Sequence, residues 1–234
     1  MITAPVKAAL EGLARQHRPG AELDNPHYIS LILIDRWLKS TALREAHGVM
    51  LDYGCGGQPY KDFFLPNLTR YIGADVAAAH GVQLDLEIIP GQALPLANAS
   101  IDTLLSTQTL EHLPDVRFYL NECARLVRPG GVMILTAPMQ WRHHEVPYDY
   151  LRFTKFGLTA LAEQHGFEIK SISACGGVYA LLGQIFLSHL HERGVKRRLF
   201  NKLINKLALW LDRRFPDTED TLNWMCIAVR KLDC

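Results

Sequence analysis

The run Val49-Met-Leu-Asp-Tyr-Gly-Cys-Gly-Gly57 constrains the fold more than any other stretch of the chain. Apolar residues and one acid, Asp52, lead directly into Gly54-x-Gly56. This pattern reads as a buried strand entering a tight turn. Glycine accepts positive φ and carries no Cβ, so the main chain can come up against a ligand there. A second apolar segment, Tyr71-Ile-Gly-Ala-Asp75, ends 21 positions after Gly54. An acid at that distance is placed to accept hydrogen bonds from ribose hydroxyls.

The two features together imply an adenosine-containing cofactor, and the turn narrows the choice. A dinucleotide site uses Gly-x-Gly-x-x-Gly with a helix N-terminus facing a pyrophosphate. Here the turn reads Gly54-Cys-Gly-Gly-Gln-Pro59, so the third glycine is missing. Pro59 also removes a backbone donor that a pyrophosphate would use. A loop without a phosphate cradle suits a cofactor without phosphates, and S-adenosylmethionine is the obvious one.

Strand-like segments alternate with helical ones at 49–53, 71–75, 82–85, 101–105, 131–137, 167–174 and 222–230. Alternation of this kind predicts an α/β fold with a largely parallel sheet and crossover helices. Continuous apolar runs such as Val132-Met-Ile-Leu135 fit a sheet covered on both faces. Helices are expected over 3–17 and over 26–47, where Ile29, Ile32, Leu33, Trp37 and Leu38 recur at helical spacing and Gly48 closes the run. The domain reading is a helical extension over 1–47 and one α/β domain over 48–234, with a helical insertion at about 177–215.

A chain of 234 residues with 48% apolar content has room for one such domain and a full core. Its net charge of +1 gives no overall bias toward nucleic acid. Cys55, Cys123, Cys175, Cys226 and Cys234 are odd in number and lack Cys-x-x-Cys spacing. That argues against disulfides or a zinc site and for a reducing compartment. The first residues carry no apolar run of leader type, and no stretch of about 18 uninterrupted apolar residues occurs. The expected location is cytoplasmic, with the inner face of the membrane as a peripheral variant.

The ordered motifs resemble the class I S-adenosylmethionine-dependent methyltransferases, of the bacterial small-domain type (methyltransferase type 11-like). The resemblance runs over roughly 45–175. It includes the glycine loop, Asp75, and Asp85-Leu86 ahead of Leu94-Pro95-Leu96. It continues through Ser100-Ile-Asp-Thr-Leu-Leu-Ser106, Leu110-Glu-His-Leu-Pro114 and Arg125-Leu-Val-Arg-Pro-Gly-Gly131. It implies a Rossmann-like doubly wound seven-stranded sheet of order 3-2-1-4-5-7-6, its last strand antiparallel. It also implies S-adenosylmethionine as cofactor and S-adenosylhomocysteine as product. By resemblance, Asp52, Gly54, Cys55 and Gly56 border the methionine part, and Asp75 and Val76 hold the ribose. Asp85 and Leu86 take the adenine, and Thr107 and Gln108 line the methionine side. The plainer reading of Asp85 is a turn-capping aspartate.

Methyl transfer is mostly a matter of positioning, and an oxygen nucleophile usually also needs a base. The candidates lie after the fifth strand, in Pro138-Met-Gln-Trp-Arg-His-His-Glu-Val-Pro-Tyr-Asp-Tyr-Leu-Arg-Phe-Thr154. His144, His143 and Asp149 are the groups proposed for catalysis. The competing reading has Asp149 and Arg152 buttress the loop as a buried ion pair, with Thr154 capping the next helix. Glu111-His112 reads either as catalytic or as an acid at a helix start. No Cys or Asp spacing completes a metal site around the paired histidines, so no metal is expected.

Between Arg193 and Arg214, eight basic residues stand against one acid, Asp212. That gives a local charge of +7, leaving −6 for the rest of the chain. Leu199, Phe200, Leu203, Ile204, Leu207, Trp210 and Leu211 share one helical face. This stripe reads as packed on the domain, as seated on an anionic membrane through 193–214, or as a homodimer face or lid. Basic residues without interleaved aromatics argue against nucleic acid.

Function is read as O-methylation of a small molecule or of a glycan- or lipid-linked intermediate. The alternatives are a membrane-peripheral methyltransferase of a lipid-like or quinone-type acceptor, and a non-catalytic protein that binds S-adenosylmethionine as a partner subunit.

Overall fold

The structure, a computed structural model, describes residues 21–76, 82–195 and 197–232. The helix expected over 3–17 lies outside them. The described residues form a seven-stranded sheet of order β3-β2-β1-β4-β5-β7-β6. Its strands are β1 (Gly48–Tyr53), β2 (Leu68–Asp75), β3 (Leu86–Glu87), β4 (Ile101–Thr107), β5 (Val127–Pro138), β6 (Phe167–Ala174) and β7 (Asn223–Arg230). Strands β1 to β5 are parallel, and β7 runs antiparallel between β5 and β6. The expected order and the reversed last strand are both present.

Side chains on a strand alternate between faces, and the core divides accordingly. Leu104 of β4, Met133 and Leu135 of β5, and Cys226 and Ala228 of β7 enter one cluster. Leu105, Val132, Ile134, Met225 and Ile227 enter the other. The first face is covered by α2 (Val116–Leu126) and α3 (Lys155–Gln164). Asp115 caps α2 by accepting from Phe118 N at 2.9 Å, and Thr154 caps α3 by accepting from Gly157 N at 3.0 Å. The second face is covered by α1 (Tyr28–Trp37) and the turn around Tyr60 and Phe64.

Two elements depart from expectation. The long helix over 26–47 is α1 followed by a π-helical turn (Leu38–Ala42) and a last α turn (Leu43–Glu45). Gly48 is the first residue of β1, at φ +63°, not a helix cap. The third strand spans only Leu86–Glu87, after the expected 82–85. Its position comes from pairing, with Asp85 N donating to Gly73 O at 3.0 Å and Ile88 N to Asp75 O at 2.8 Å.

The insertion between β6 and β7 is a helix pair, α4 (Val178–Glu192) and α5 (Arg198–Arg214). It packs with α1 around Ile29, Ala180, Leu181, Ala208, Leu209 and Leu222. Buried amides tie it to the segment before α1. Asn205 Nδ2 donates to Leu23 O and Asn25 O at 2.8 and 3.0 Å, and Gln184 Nε2 donates to Pro26 O at 2.8 Å. Arg198, one of the basic residues of the cluster, pairs with Asp24 at 2.5 Å.

The buried side of α5 is Asn205, Ala208 and Leu209. The apolar stripe faces outward instead, with Leu199 83%, Leu203 62% and Trp210 54% exposed. Phe186 of α4 meets Phe200 edge to face at 6.1 Å between ring centroids, and with exposed Leu182 and Ile185 it extends this apolar surface. The expectation that the stripe packs on the domain is therefore corrected. Among the described residues, no helix is long and apolar enough to cross a membrane.

Asp212, the one acid of the basic run, has a specific task. Its Oδ1 accepts from Gly177 N and Ala180 N, each at 3.0 Å, at the start of α4, where no local side chain caps the helix. Asp212→Ala should lower stability by about 1 kcal/mol, read as a lower urea midpoint at unchanged m-value. An unchanged midpoint would show that this carboxylate does not hold the helix.

Candidate functional site

The turn after β1 is built by two glycines and one carbonyl. Gly54 N and Cys55 N both donate to Ala74 O, at 2.8 and 3.0 Å. Gly54 has φ +90°, and a Cβ there would stand 2.5 Å from Thr109 Oγ1, so no larger residue fits. Gly56 has φ +50°, and a Cβ there would meet nothing within 4 Å. Its missing side chain leaves open space toward the cavity. Gly56 N donates to Asp75 Oδ2 and Val76 N to Asp75 Oδ1, both at 2.7 Å. The Asp75 carboxylate is thus fixed by backbone at the cavity rim.

The cavity holds ≈1130 Å³. Single-ligand sites usually hold about 300–1,000 Å³, so a cofactor and an acceptor fit side by side. Tyr53, Gly54, Cys55, Gly56, Asp75 and Val76 line one end, joined by Thr107 and Gln108 past β4. Ile88 and Ile89, just after β3, line the same region. The far end is lined by Ser30, Leu31 and Ile34 of α1, by His27, Trp141 and Arg142, and by His191 and Glu192 of α4. Arg142 forms an ion pair with Glu192 that joins the loop after β5 to the insertion.

Three residues expected at the cofactor do not line this cavity. Asp52 is fully buried at the end of β1, where its Oδ2 accepts from Tyr71 Oη at 2.5 Å. Burial, opposed by that hydrogen bond and reinforced by the charge of Asp75, raises its pKa to about 7. Asp85 Oδ2 accepts from Gly73 N at 2.8 Å, which is the turn-capping reading. Leu86 is partly buried against the core beneath. Cys55 lines the cavity, and burial pushes its thiol well above the usual range, so it stays neutral. Gln108 is anchored, its Nε2 donating to Thr136 Oγ1 at 3.0 Å.

The loop after β5 gathers the three groups proposed for catalysis, with His143 Nδ1 and His144 Nδ1 standing 3.5 and 3.4 Å from Asp149 Oδ2. Both histidines line the cavity, and His143 is 91% exposed. Asp149 is held by Arg152 in a two-pronged pair, Nη1 to Oδ1 at 2.6 Å and Nη2 to Oδ2 at 2.8 Å, and accepts from His144 N. Burial raises its pKa, but the Arg152 and His144 hydrogen bonds outweigh that and hold it well below the usual carboxylate range. It buttresses the loop through that ion pair. His144 is half-buried at the cavity, and burial together with the charge of His112 lowers its pKa to about 4.

His144 belongs to a cluster that sequence spacing does not join. Glu111 and His112 lie on a 3-10 turn, Leu110–His112, separate from α2, so the acid is not at a helix start. The Glu111 carbonyl accepts from Tyr150 N at 2.8 Å and Leu151 N at 3.2 Å, pinning the loop after β5 to the end of β4. The Glu111 carboxylate is fully buried, and neither oxygen accepts a hydrogen bond. His112 Nε2 stands 3.8 Å from Glu111 Oε1 and 3.5 Å from Glu145 Oε2. His144 Nε2 stands 4.0 Å from Glu111 Oε1. The two rings meet edge to face at 4.8 Å. Gln108 and Glu145 both hold positive φ, 52° and 53°, in the cavity wall. Strained backbone of this kind in non-glycine residues concentrates at functional sites.

Residues 51–135 match the family model described as a methyltransferase domain. The ubiquinone biosynthesis O-methyltransferase of Sinorhizobium fredii is 34% identical over 97 residues, 37% of this chain and 39% of that protein. The chain therefore spans about two-fifths of the curated relative's length. A Mycolicibacterium smegmatis protein named "Probable S-adenosylmethionine-dependent methyltransferase" is 31% identical over 134 residues, 52% of each chain. The crystal structure of the cyclase SpnF superposes with a TM-score of 0.62 at 18% identity, covering 97% of this chain and 93% of that one. That likeness is one of fold.

Asp52 offers a test of the ground beneath the turn. Its folded pKa is raised from 3.8 to about 7. The stability its neutral form contributes is full below the lower value and is lost as pH rises through the upper one. Asp52→Asn, neutral at every pH, should match the wild type in acid and exceed it by a few kcal/mol above about pH 7. Urea titrations across pH that show a constant difference would place the charge in water.

Proposed function

We propose that this chain is a class I S-adenosylmethionine-dependent methyltransferase, supported by the matching family model, the relatives and the strand order, and that it methylates a hydroxyl oxygen of a small organic acceptor. One observation carries the reading: a single cavity joins the Gly54–Gly56 turn and Asp75 to His112 and His144, behind which Glu111 is buried. The cofactor fits its end of that cavity. Gly56 leaves the space a Cβ would fill, Asp75 is held at the rim with its carboxylate oriented, and no phosphate cradle is present. Bound S-adenosylmethionine supplies a methyl carbon activated by a sulfonium, and S-adenosylhomocysteine is the product.

The rest is positioning by the chain's own residues. Asp75 takes the ribose hydroxyls, and Gly54, Cys55, Thr107 and Gln108 border the methionine part. Ile88 and Ile89 take the adenine role that the resemblance gave to Asp85 and Leu86. The acceptor's body lies against Leu31, Ile34 and Trp141. Its reacting oxygen faces His112 and His144, with Glu111 buried behind them. The first helix of the insertion borders the cavity through His191 and Glu192.

A second reading concerns where the enzyme works, and the outward stripe of α5 favours it. Leu199, Leu203, Leu207 and Trp210 face solvent with exposed Lys202 and Lys206 beside them. Apolar and basic residues arranged this way suit the surface of an anionic membrane, and with it a lipid-like acceptor.

Asp75→Ala should weaken S-adenosylmethionine binding at least about tenfold by calorimetry while leaving the circular dichroism spectrum unchanged, each lost ribose hydrogen bond being worth about 1.5 kcal/mol or more. Methyl-labelled cofactor, protein and cell extract should give label in a small acceptor. Binding without label transfer would favour the non-catalytic partner reading. Wild type should sediment with anionic liposomes, and Lys202→Glu combined with Lys206→Glu should stay in the supernatant. A wild type that remains soluble, or dimerises through α5, would end the membrane reading.

A further inference from the structure

We propose that Glu111, His112 and His144, with Glu145 beside them, hold one divalent transition-metal ion in the cavity wall. The donor atoms of the first three lie within 4.8 Å of one another. The histidine–carboxylate separations, 3.8 Å for His112 to Glu111, 4.0 Å for His144 to Glu111 and 3.5 Å for His112 to Glu145, are too long for good hydrogen bonds. They are near the spacing of ligands around one ion: two donors each about 2.1 Å from a tetrahedral centre stand roughly 3.4 Å apart.

The surroundings of the cluster point the same way. Glu111 is fully buried with both oxygens unpartnered, and a buried carboxylate in that state is costly unless something neutralises it. One of the two histidines has its second nitrogen oriented from behind. His112 Nδ1 lies 2.7 Å from Tyr148 O, so that nitrogen carries the hydrogen and Nε2 is turned toward the carboxylates. A carbonyl behind the ring, with the far nitrogen aimed at the site, is how metal-binding histidines are set. His144 is held through its backbone, its N donating to Asp149 Oδ2 at 3.2 Å, while its buried Nδ1 has no hydrogen-bond partner. Two imidazoles with carboxylates select zinc, manganese, iron or cobalt over magnesium or calcium. His112, His144 and Glu145 all line the cavity, so an incoming oxygen can complete the coordination.

The role of the ion rests on the methyl-transfer reading. Coordination would acidify the acceptor hydroxyl. The O–H proton passes to water and the oxygen lone pair forms the bond to the methyl carbon. The carbon–sulfur bond breaks with its electron pair left on sulfur. Ion binding itself does not depend on that reading.

The test uses chelator-stripped protein titrated with Zn2+ by calorimetry and with Co2+ by visible absorption, with S-adenosylmethionine binding measured on the same samples. The expected result is about one ion per chain, with ligand-field bands for Co2+. Glu111→Gln, which keeps the side-chain shape, and His144→Ala should each weaken Zn2+ binding by about 100-fold or more. His189→Ala, on the exposed side of α4, should not. No ion uptake by the wild type, or Glu111→Gln binding as the wild type does, overturns the proposal. If either occurs while S-adenosylmethionine still binds, the methyltransferase reading stands without a metal. Zn2+ uptake without S-adenosylmethionine binding would leave the metal site and remove that reading.

Discussion

The carbonyl of Ala74 and the carboxylate of Asp75 are the junction on which the rest of the site depends. Two consecutive amides of the turn after β1 converge on the one carbonyl, and the next amide reaches the carboxylate. These bonds lock the ends of the two adjacent strands together. They also force Gly54 against Thr109, which begins the segment leading to Glu111. A local turn thereby sets the distance between the rim that faces an adenosine and the wall that faces an acceptor. Any side chain at Gly54 would push Thr109 away and open that distance, so the constraint is steric as well as hydrogen-bonded.

Glu111 plays a corresponding part at the other wall, with its two ends doing opposite work. Its carbonyl is doubly satisfied and anchors the loop after β5. Its side chain is buried without a partner, and burial raises its pKa to about 7. A fold that placed Glu111 only for architecture would gain by having an apolar residue there. The retained carboxylate, with two rings aimed at it, is local frustration of the kind that accompanies function.

Much of the fold was legible because a sheet buried on both faces writes itself as apolar runs. Val132–Leu135 could hardly be anything else, and the glycine turn with Asp75 located the cofactor end. The failures have physical causes. β3 is an edge strand of two residues held by Asp85 and Ile88 amides, and so short a strand leaves no hydrophobic period to read. The stripe on α5 was visible, but periodicity reports that a face exists and not what covers it. Asp149 with Arg152 at i+3 was readable as an ion pair, and the structure contains that pair. The grouping of Glu111 and His112 with His144 was not readable. It depends on a loop returning across the sheet edge, and neither histidine's spacing records that. His27 and His191, which line the far end, carried no signal for the same reason.

The position of β7 has a consequence for how the molecule is made. It hydrogen-bonds to both β5 and β6 along most of its length, yet it follows them only after the two insertion helices. During synthesis β5 and β6 therefore emerge with a gap of one strand between them, each with an edge that lacks its partner strand. The nascent chain meets its longest period of aggregation risk there, because open edges invite pairing with other chains. α4 and α5 emerge within that interval, bearing an apolar outer surface flanked by lysines.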